Sequence, residues 1–165
     1  MLAGRTREHP LPWMAQGSDS MADQRPRFVG TYEHGLDDKG RMVLPAKIRA
    51  QLGETGLVAK LDGCLGLWTV DGFDLAADQM EAEADAGRVS TGALRAFIAD
   101  AHEVVPDQQG RIVIPARLRQ YAHLGSEIVI TGRMKRAEIW DAATWASMSD
   151  AHDAELNEAV KTIGF

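Results

Sequence analysis

Two stretches of the chain match each other in spacing and in chemistry: DDKGRMVLPAKIR at Asp37–Arg49 and DQQGRIVIPARLR at Asp107–Arg119. Each contains Asp-x-x-Gly-Arg, then three apolar residues, a Pro-Ala pair and a basic segment that ends in Arg. The second stretch follows the first at an offset of 70 residues without a gap. Such a duplication indicates one structural unit used twice, so we expect internal pseudo-twofold symmetry. Two copies of one unit favour a repetitive ligand such as DNA over a single small substrate.

The match extends beyond these stretches on both sides. Upstream, Tyr32-Glu33 aligns with His102-Glu103. Downstream, once a two-residue insertion is allowed, Leu67-Trp68 aligns with Ile139-Trp140 and Phe73 with Trp145. We therefore expect the whole unit, and not only its basic segment, to be repeated in the fold.

The composition is that of an ordinary globular protein, with 165 residues, 45% hydrophobic and 25% charged. The single cysteine, Cys64, excludes an internal disulfide and a cysteine-rich metal site, and it suits a reducing cytoplasm. No apolar run approaches the roughly 18 residues of a membrane-spanning helix. Residues 1–27 are rich in Pro, Gly, Ser, Gln and charge and lack the apolar core of a signal peptide. They are predicted to be a disordered extension.

The charge of the chain is unevenly distributed. The net charge of −6 by itself argues against a nucleic-acid ligand. Basic residues nevertheless outnumber acidic ones in 27–52 and in 107–120, whereas acidic residues dominate 71–103 and the segment after 141. Because a phosphate group responds to the local potential, the two repeated segments stay candidates for DNA binding.

Turn and cap signals divide the first unit into a strand, a turn at Asp37–Gly40, a second strand, a short helix, a hairpin and longer helices. Pro45 can open the short helix because its missing N–H needs no partner there, and Gly53 can end it. The predicted ranges are strands at Phe28–Glu33, Arg41–Leu44, Leu57–Leu61 and Leu65–Thr69, a helix capped by Asp71 to about Ala86, and a helix capped by Ser90 or Thr91 through Ala101.

The second unit repeats this order. The predicted ranges are strands at Glu103–Pro106, Arg111–Ile114, Glu127–Thr131 and Ala137–Trp140, a helix at Pro115–Leu124, and a helix capped by Asp141 that runs to about Val160. The short strands of one half alone would leave exposed sheet edges. Pairing the two halves, with hairpins exchanged around a pseudo-dyad, would close a small barrel.

Four segments together resemble the MraZ family of bacterial transcriptional regulators, in the SpoVT/AbrB swapped-hairpin group: FVGTYEHGLDDKGRMVLPAKIR, LWTVDGF, PDQQGRIVIPARLRQYAHLG and EIWDAATW. The resemblance covers about Phe28 to Val160. It implies a mixed α+β fold with a mainly β core, a double-split β-barrel built from two AbrB-like repeats, 28–102 and 103–165, with flanking helices. It also implies a ring-shaped homo-oligomer that binds direct repeats in the promoter of the division and cell-wall gene cluster, with repression as the expected sign.

The resemblance assigns the DNA-facing positions to the two repeated turns. These positions are Lys39, Arg41 and Arg111, together with Gln109, which stands where the first turn has Lys39. Glutamine can hydrogen-bond a base edge or a phosphate but brings no charge, so the halves are expected to contact DNA unequally. The turn-structuring residues would be Asp37, Gly40, Asp107 and Gly110.

Other interpretations of these residues stay open. Each Asp–Arg pair could serve only to hold its own turn, worth at most ~1 kcal/mol if exposed. The basic residues of the short helices could form a solvated face, a subunit contact or a DNA contact: Lys47, Arg49, Arg117 and Arg119. The apolar strand residues Val43, Leu44, Val113 and Ile114 are predicted to lie in the core. Trp68 and Trp140 are predicted to be core or subunit-interface residues.

No pattern of a catalytic, metal or cofactor site is present in the sequence. The five histidines have no metal-ligand spacing, and no Walker loop, nucleotide-binding glycine motif or nucleophile elbow occurs. We therefore predict a protein that is not an enzyme and needs no cofactor, metal, membrane or small-molecule substrate, located in the cytoplasm at the nucleoid. The alternatives are an AbrB-like antitoxin, or an oligomeric scaffold that binds no nucleic acid.

Overall fold

The computed structural model describes residues 25–165, so the predicted extension lies outside it except for Arg25–Arg27. Within this range the chain forms eight strands and five helices. The strands are β1 (Thr31–Gly35), β2 (Arg41–Val43), β3 (Gly56–Lys60), β4 (Leu65–Thr69), β5 (His102–Val104), β6 (Arg111–Val113), β7 (Glu127–Gly132) and β8 (Ala137–Asp141). The helices are α1 (Ala46–Leu52), α2 (Val70–Asp85), α3 (Thr91–Ala99), α4 (Ala116–Tyr121) and α5 (Ala142–Ile163).

The strands make one antiparallel sheet of six strands and a separate two-stranded ribbon. The order in the sheet is β1-β7-β8-β4-β3-β5, and the ribbon pairs β2 with β6. The hairpins β3–β4 and β7–β8 form as predicted. Each repeat also places its first strand beside the other repeat's hairpin, since β1 pairs with β7 and β5 with β3. The protein is therefore a mixed α+β fold in which the hairpin of each repeat lies between strands of the other repeat.

The predicted pseudo-twofold symmetry is confirmed by the pairing registers. In the ribbon Met42 lies opposite its own repeat equivalent, Ile112. In the sheet Gly66 lies opposite Glu138, again equivalent positions once the two-residue insertion is counted. A residue that faces its own equivalent marks the dyad, so the axis passes through the centres of β2–β6 and β4–β8.

The predicted closed barrel is not formed by backbone pairing in the described part of the chain. The six-stranded sheet ends at β1 on one side and β5 on the other, and no ladder joins them. The strand β2 also does not return beside β1, because its backbone groups bond β6 of the other repeat. Because β2 and β6 pair with each other in a separate layer, they cannot join the sheet, and the sheet keeps two free edges.

The main core lies between the ribbon, the short helices and the sheet. Met42 and Ile112 are each 1% exposed and contribute the inner face of the ribbon. Leu44 and Ile114 are buried as predicted, and each fully buried side chain of this size stabilises the fold by about 1.5–3 kcal/mol. A larger set of apolar side chains completes this core, including Ile48, Leu52, Leu65, Leu118, Ile130 and Ile139.

The prediction that Val43 and Val113 belong to the core was wrong. Their exposed fractions are 44% and 50%. Successive side chains of a strand point to opposite faces, so burying Met42 and Ile112 turns both valines outward. The apolar composition of these strands had concealed the alternation.

The helices that cover the sheet differ between the repeats. In the first repeat Trp68, Phe73 and Phe97 form a second buried cluster with ring centroids 5.3–5.9 Å apart, built by β4, α2 and α3. In the second repeat α5 is the helix that packs on β8 among the described elements, and Trp140 and Trp145 stay partly exposed at 5.9 Å from each other. Helix α5 buries none of its residues fully.

The helix caps follow the predictions with two exceptions, at the end of α4 and at the start of α2. Helix α4 ends at Tyr121 with Ala122 as its C-cap, three residues before the predicted end at Leu124. Ser90 caps α3 by accepting the Ala93 N–H, and Asp141 caps α5 by accepting the Thr144 N–H. Helix α2 is capped by Thr69, whose hydroxyl accepts the Gly72 N–H, and not by Asp71 as predicted. Asp71 lies instead in the first helical turn, where its negative charge interacts favourably with the positive end of the helix dipole. None of the described helices is both long and apolar enough to cross a lipid bilayer.

Candidate nucleic-acid interface

The β2–β6 ribbon presents one polar-and-apolar face to the outside. Arg41 lies opposite Val113, and Val43 lies opposite Arg111. Residues two apart on one strand and directly opposed residues on two strands share a face, so these four side chains form one surface. We call Arg41, Val43, Arg111 and Val113 the ribbon face.

The first turn, Asp37–Gly40, is held by the carboxylate of Asp37. One carboxylate oxygen, Oδ1, accepts the backbone N–H groups of Lys39 at 3.0 Å and Arg41 at 2.8 Å. The other, Oδ2, accepts Nε of Arg41 at 2.6 Å. Gly40 takes φ of +76°, a conformation that side chains disfavour. In the first repeat Asp37 therefore accepts three hydrogen bonds within the turn, and Gly40 supplies its positive φ.

The second turn, Asp107–Gly110, repeats this geometry. Asp107 Oδ1 accepts the N–H groups of Gln109 and Arg111, both at 2.9 Å. Its Oδ2 accepts Nε of Arg111 at 2.8 Å, and Gly110 takes φ of +77°. The two turns are thus built alike by Asp and Gly in both halves.

These contacts also lower the pKa values of both aspartates. The pKa of Asp37 lies below its usual value mainly because its carboxylate accepts the Arg41 backbone N–H, and the Arg41 side chain adds to the effect. The pKa of Asp107 is lowered mainly by the backbone N–H of Arg111 and then by its side chain. Each turn therefore holds its aspartate in the charged form.

The Asp–Arg pairs leave much of both guanidinium groups accessible. The side chains of Arg41 and Arg111 are each 37% exposed although their Nε atoms are bonded. Among the described residues the terminal nitrogens of these two arginines have no hydrogen-bond acceptor. An arginine held through Nε can still offer its outer N–H groups to a phosphate or a guanine. The interpretation as a turn-holding pair and the interpretation as a DNA contact are therefore compatible.

Further cations surround the ribbon without neutralising partners. In the described part of the chain, no Asp or Glu oxygen lies within ion-pair distance of Lys39, Lys47, Arg49 or Arg119. Arg117 differs, because its Nε lies 3.0 Å from Asp100. Many acidic side chains lie on α2 and α5, which contribute nothing to the two turns. The uneven charge of the sequence thus becomes a locally basic surface.

An open recess beside the ribbon brings polar groups of both repeats together. Its lining includes Val43, Lys47 and Arg49 of the first repeat and Gln109 of the second. Gln109 is thus placed among the cations of the other repeat, a neighbourhood that its position in the sequence does not indicate. This interleaving follows from the β2–β6 pairing.

Sequence reasoning missed the two valines as members of this surface. A signal was available: if Met42 is assigned to the core, the period of two places Arg41 and Val43 outside. The same alternation applies to Arg111, Ile112 and Val113. The signal was hidden because both valines are apolar.

The described residues show neither a metal site nor a reactive cysteine. In that part of the chain no group of three or more His, Cys, Asp or Glu side chains is arranged to hold a metal ion. Cys64 is buried, and burial raises the pKa of its thiol to about 12, with Glu138 adding to the shift. The thiol is therefore protonated and unreactive at neutral pH.

Comparison with known proteins places these features in a family. The family model described as "MraZ protein, putative antitoxin-like" matches residues 27–92 and again 97–163. The chain belongs to the MraZ family. The two matched ranges each contain one of the Asp-x-x-Gly-Arg turns.

Named relatives cover the same part of the chain. "Transcriptional regulator MraZ" of Kocuria rhizophila is 41% identical over 138 residues, which is 82% of this chain and 96% of the relative. The protein of the same name from Salinispora tropica is 39% identical over 81% of this chain and 96% of its own length. That of Bifidobacterium longum is 41% identical over 77% of this chain and 85% of its own length.

Proposed function

We propose that this chain is a sequence-specific, DNA-binding transcriptional regulator that acts by repression. The observation that carries the proposal is the ribbon face, on which two arginines and two exposed valines project from a two-stranded antiparallel ribbon. The major groove of B-form DNA admits such a ribbon. The names of the relatives in the MraZ family agree with this function.

The groups of the ribbon and turns would divide the work of recognition. Arg41 and Arg111 would bind guanine edges or phosphates, and Lys39 a phosphate. Gln109 would hydrogen-bond a base edge or a phosphate without adding charge. The valines would contact thymine methyl groups. The turn-structuring set would hold these groups in place: Asp37, Gly40, Asp107 and Gly110.

The proposal includes a ring-shaped homo-oligomer of this chain. Each subunit offers one small basic surface, which alone binds weakly at physiological salt. Several surfaces on a ring would engage successive direct repeats in the promoter of the division and cell-wall gene cluster. Each later contact is then intramolecular and adds on the order of 10²–10⁴ in avidity when the spacing matches. The protein would act in the cytoplasm at the nucleoid, without a cofactor.

The test uses DNA from upstream of the protein's own gene. Duplexes with one, two and three intact repeats are titrated by fluorescence anisotropy, and the oligomer is sized by light scattering. We expect affinity to rise steeply with repeat number. Inserting roughly five base pairs, half a helical turn, between repeats should remove most of the gain. Equal binding of one and three repeats would refute repeat matching, and absence of any binding would favour a scaffold that does not contact nucleic acid.

A second candidate function is that of an antitoxin, because the matching family model is described as antitoxin-like. An antitoxin needs a surface for its toxin, and α5 carries exposed Leu156 and Ile163 among acidic residues. Truncation of α5 after residue 153 distinguishes the two functions. A regulator would keep its affinity for a single DNA repeat, whereas an antitoxin would lose protection of its host against the neighbouring gene product.

A further inference from the structure

Each DNA-facing turn is attached to the repeat that it does not belong to. The carbonyl of Gly40 accepts the N–H of Ile114 at 2.8 Å, and the carbonyl of Gly110 accepts the N–H of Leu44 at 2.9 Å. These two hydrogen bonds cross the pseudo-dyad and extend the β2–β6 ladder into the turns. The position of one turn therefore depends on the backbone of the other repeat.

An arginine of the opposite repeat also lies on each turn glycine. A Cβ atom built on Gly40 would lie 2.8 Å from Nε and 2.9 Å from Cζ of Arg119, which α4 carries. A Cβ atom on Gly110 would lie 3.0 Å from Nη1 of Arg49, which α1 carries. The guanidinium groups of Arg119 and Arg49 thus pack against the first and the second turn respectively.

Arg119 packs more closely on the first turn than Arg49 does on the second. Arg119 is partly buried, whereas Arg49 is exposed. The Nε atom of Arg119 is fully buried and has no hydrogen-bond partner within the described residues. A buried donor without a partner is unfavourable, so the packing of the guanidinium plane on the turn has to compensate. Gly40 also leaves no room for a side chain, since its Cβ would approach the Ile114 carbonyl oxygen to 2.6 Å.

We infer that Arg119, a residue of the second repeat, positions the DNA-facing turn of the first repeat. This inference rests on the proposed function, because the position of the turn affects binding only if Lys39 and Arg41 contact DNA. Arg119 acts through the turn that it packs on and does not itself serve as a phosphate ligand. The absence of a side chain at Gly40 lets the guanidinium approach the backbone closely. The first turn, the one that carries Lys39, is thereby held more tightly than the second.

The inference is tested by a double-mutant cycle between Arg119→Ala and Lys39→Gln. If Arg119 positions Lys39, loss of either removes the same contact, and the double variant binds better than the product of the single losses. Residues in one contact network give a non-additivity of about 2-fold to about 150-fold. The salt slope of the double variant should equal that of Lys39→Gln. A further flattening by about 0.9 would mean that Arg119 contacts a phosphate itself and would overturn the inference.

Arg49→Ala is the matched control. It removes the equivalent guanidinium from the second turn, so its effect on binding should multiply with that of Lys39→Gln to within about 2-fold. Coupling of Lys39 to Arg49 as strong as its coupling to Arg119 would contradict the assignment of one arginine to each turn. Light scattering and circular dichroism establish that each variant keeps its oligomer and fold.

Amide hydrogen exchange tests the same inference without DNA. Arg119→Ala should speed exchange at Gly40 and Arg41 and leave Gly110 and Arg111 unchanged, and Arg49→Ala should do the reverse. Arg119→Lys, which keeps the charge but lacks the planar group, should behave like Arg119→Ala. Full protection in the lysine variant would overturn the inference, and this variant also serves if the alanine variant does not fold. Because this readout needs no ligand, failure of DNA binding in the wild type would refute only the proposed function.

Discussion

The two repeats agree closely where they pack on each other and differ where each packs on its own helices. The hydrogen bonds around Asp37 and Asp107 correspond within 0.2 Å, and the two turn glycines share one backbone conformation. By contrast, β4 is covered by α2 and α3 around a buried aromatic cluster, whereas in the described part of the chain β8 is covered by α5.

This difference follows from which partner each element has. In the ribbon each strand is the other's partner, so both must fit one geometry across the dyad. The outer helices have no such mutual constraint, since each needs only to cover its own end of the sheet. Side chains at the turns can also differ without changing the backbone, as Lys39 and Gln109 do. The repeats therefore share a scaffold while their surfaces are free to act differently.

The largest effect is expected from the aromatic clusters. Phe97→Ala should lower the free energy of unfolding by about 3–5 kcal/mol, because Phe97 is 8% exposed and packs on both Trp68 and Phe73. Trp145→Ala should cost clearly less, because Trp145 is only partly buried. Urea unfolding followed by circular dichroism measures both. Equal losses would show that the second repeat has a core contact that its exposure does not reveal.

The next effect concerns the ribbon arginines. Arg41→Ala should make the free energy of DNA binding less favourable by about 1–3 kcal/mol for each contact that is lost. In a ring this loss recurs in every subunit that engages the DNA, while the oligomer persists. Arg111→Ala should weaken binding less, because its turn brings Gln109 and not a lysine. Anisotropy on two-repeat DNA gives both affinities. Wild-type binding by Arg41→Ala would remove the ribbon face from the interface.

A comparable but smaller effect is expected from the turn glycines. Gly40→Ala and Gly110→Ala both force a side chain into positive φ, at roughly 1–2 kcal/mol. Only the first also drives Cβ against a backbone carbonyl at 2.6 Å; the second meets Nη1, at the far end of the Arg49 side chain, at 3.0 Å. Thermal unfolding should therefore rank Gly40→Ala as the more damaging. The opposite order would contradict the tighter packing of the first turn.

The turn tips should differ in their electrostatic contribution. Lys39→Gln should weaken DNA binding and flatten the plot of log K against log salt by about 0.9 for each subunit that engages the DNA, the loss of one phosphate contact per subunit. Gln109→Ala should leave the slope unchanged, because no charge is removed. Affinity measured over a salt series distinguishes the two. Equal slopes for both variants would show that the halves contribute alike.

The smallest effect is the pH dependence carried by the two turn aspartates. Their pKa values are lowered in the folded protein, so their stabilisation is present above the ordinary value of 3.8 and is lost as pH falls through the folded values. Asp37→Asn should therefore be less stable than wild type at pH 7 and equally stable in acid. Asp107→Asn should show the same difference, since its contacts are the same. Urea unfolding at both pH values measures it, and a difference that grows in acid would reverse the assigned sign.

Much of the local structure could be predicted from the sequence. The turns at Asp37 and Asp107, the short helices after Pro45 and Pro115, the hairpins and the caps at Ser90 and Asp141 depend on residues a few positions apart. Such contacts are encoded locally, because Asp accepts its own downstream N–H groups and Gly tolerates positive φ. The duplication likewise predicted a pseudo-twofold axis, and the pairing registers of β2–β6 and β4–β8 show it.

By itself, then, the sequence determined the elements, their order, the repeat and the residues that shape each turn. Only the tertiary structure decided which strands pair, that Val43 and Val113 face outward, and that Arg119 lies on Gly40. The ribbon pairs residues 68 to 72 positions apart, and Arg119 and Gly40 are 79 apart. Strand pairing at that distance depends on which faces can be buried together. The alternation along a strand shows that Val43 shares a face with Arg41, but no local pattern records which face is buried, since apolar strands fit either way until a partner is present.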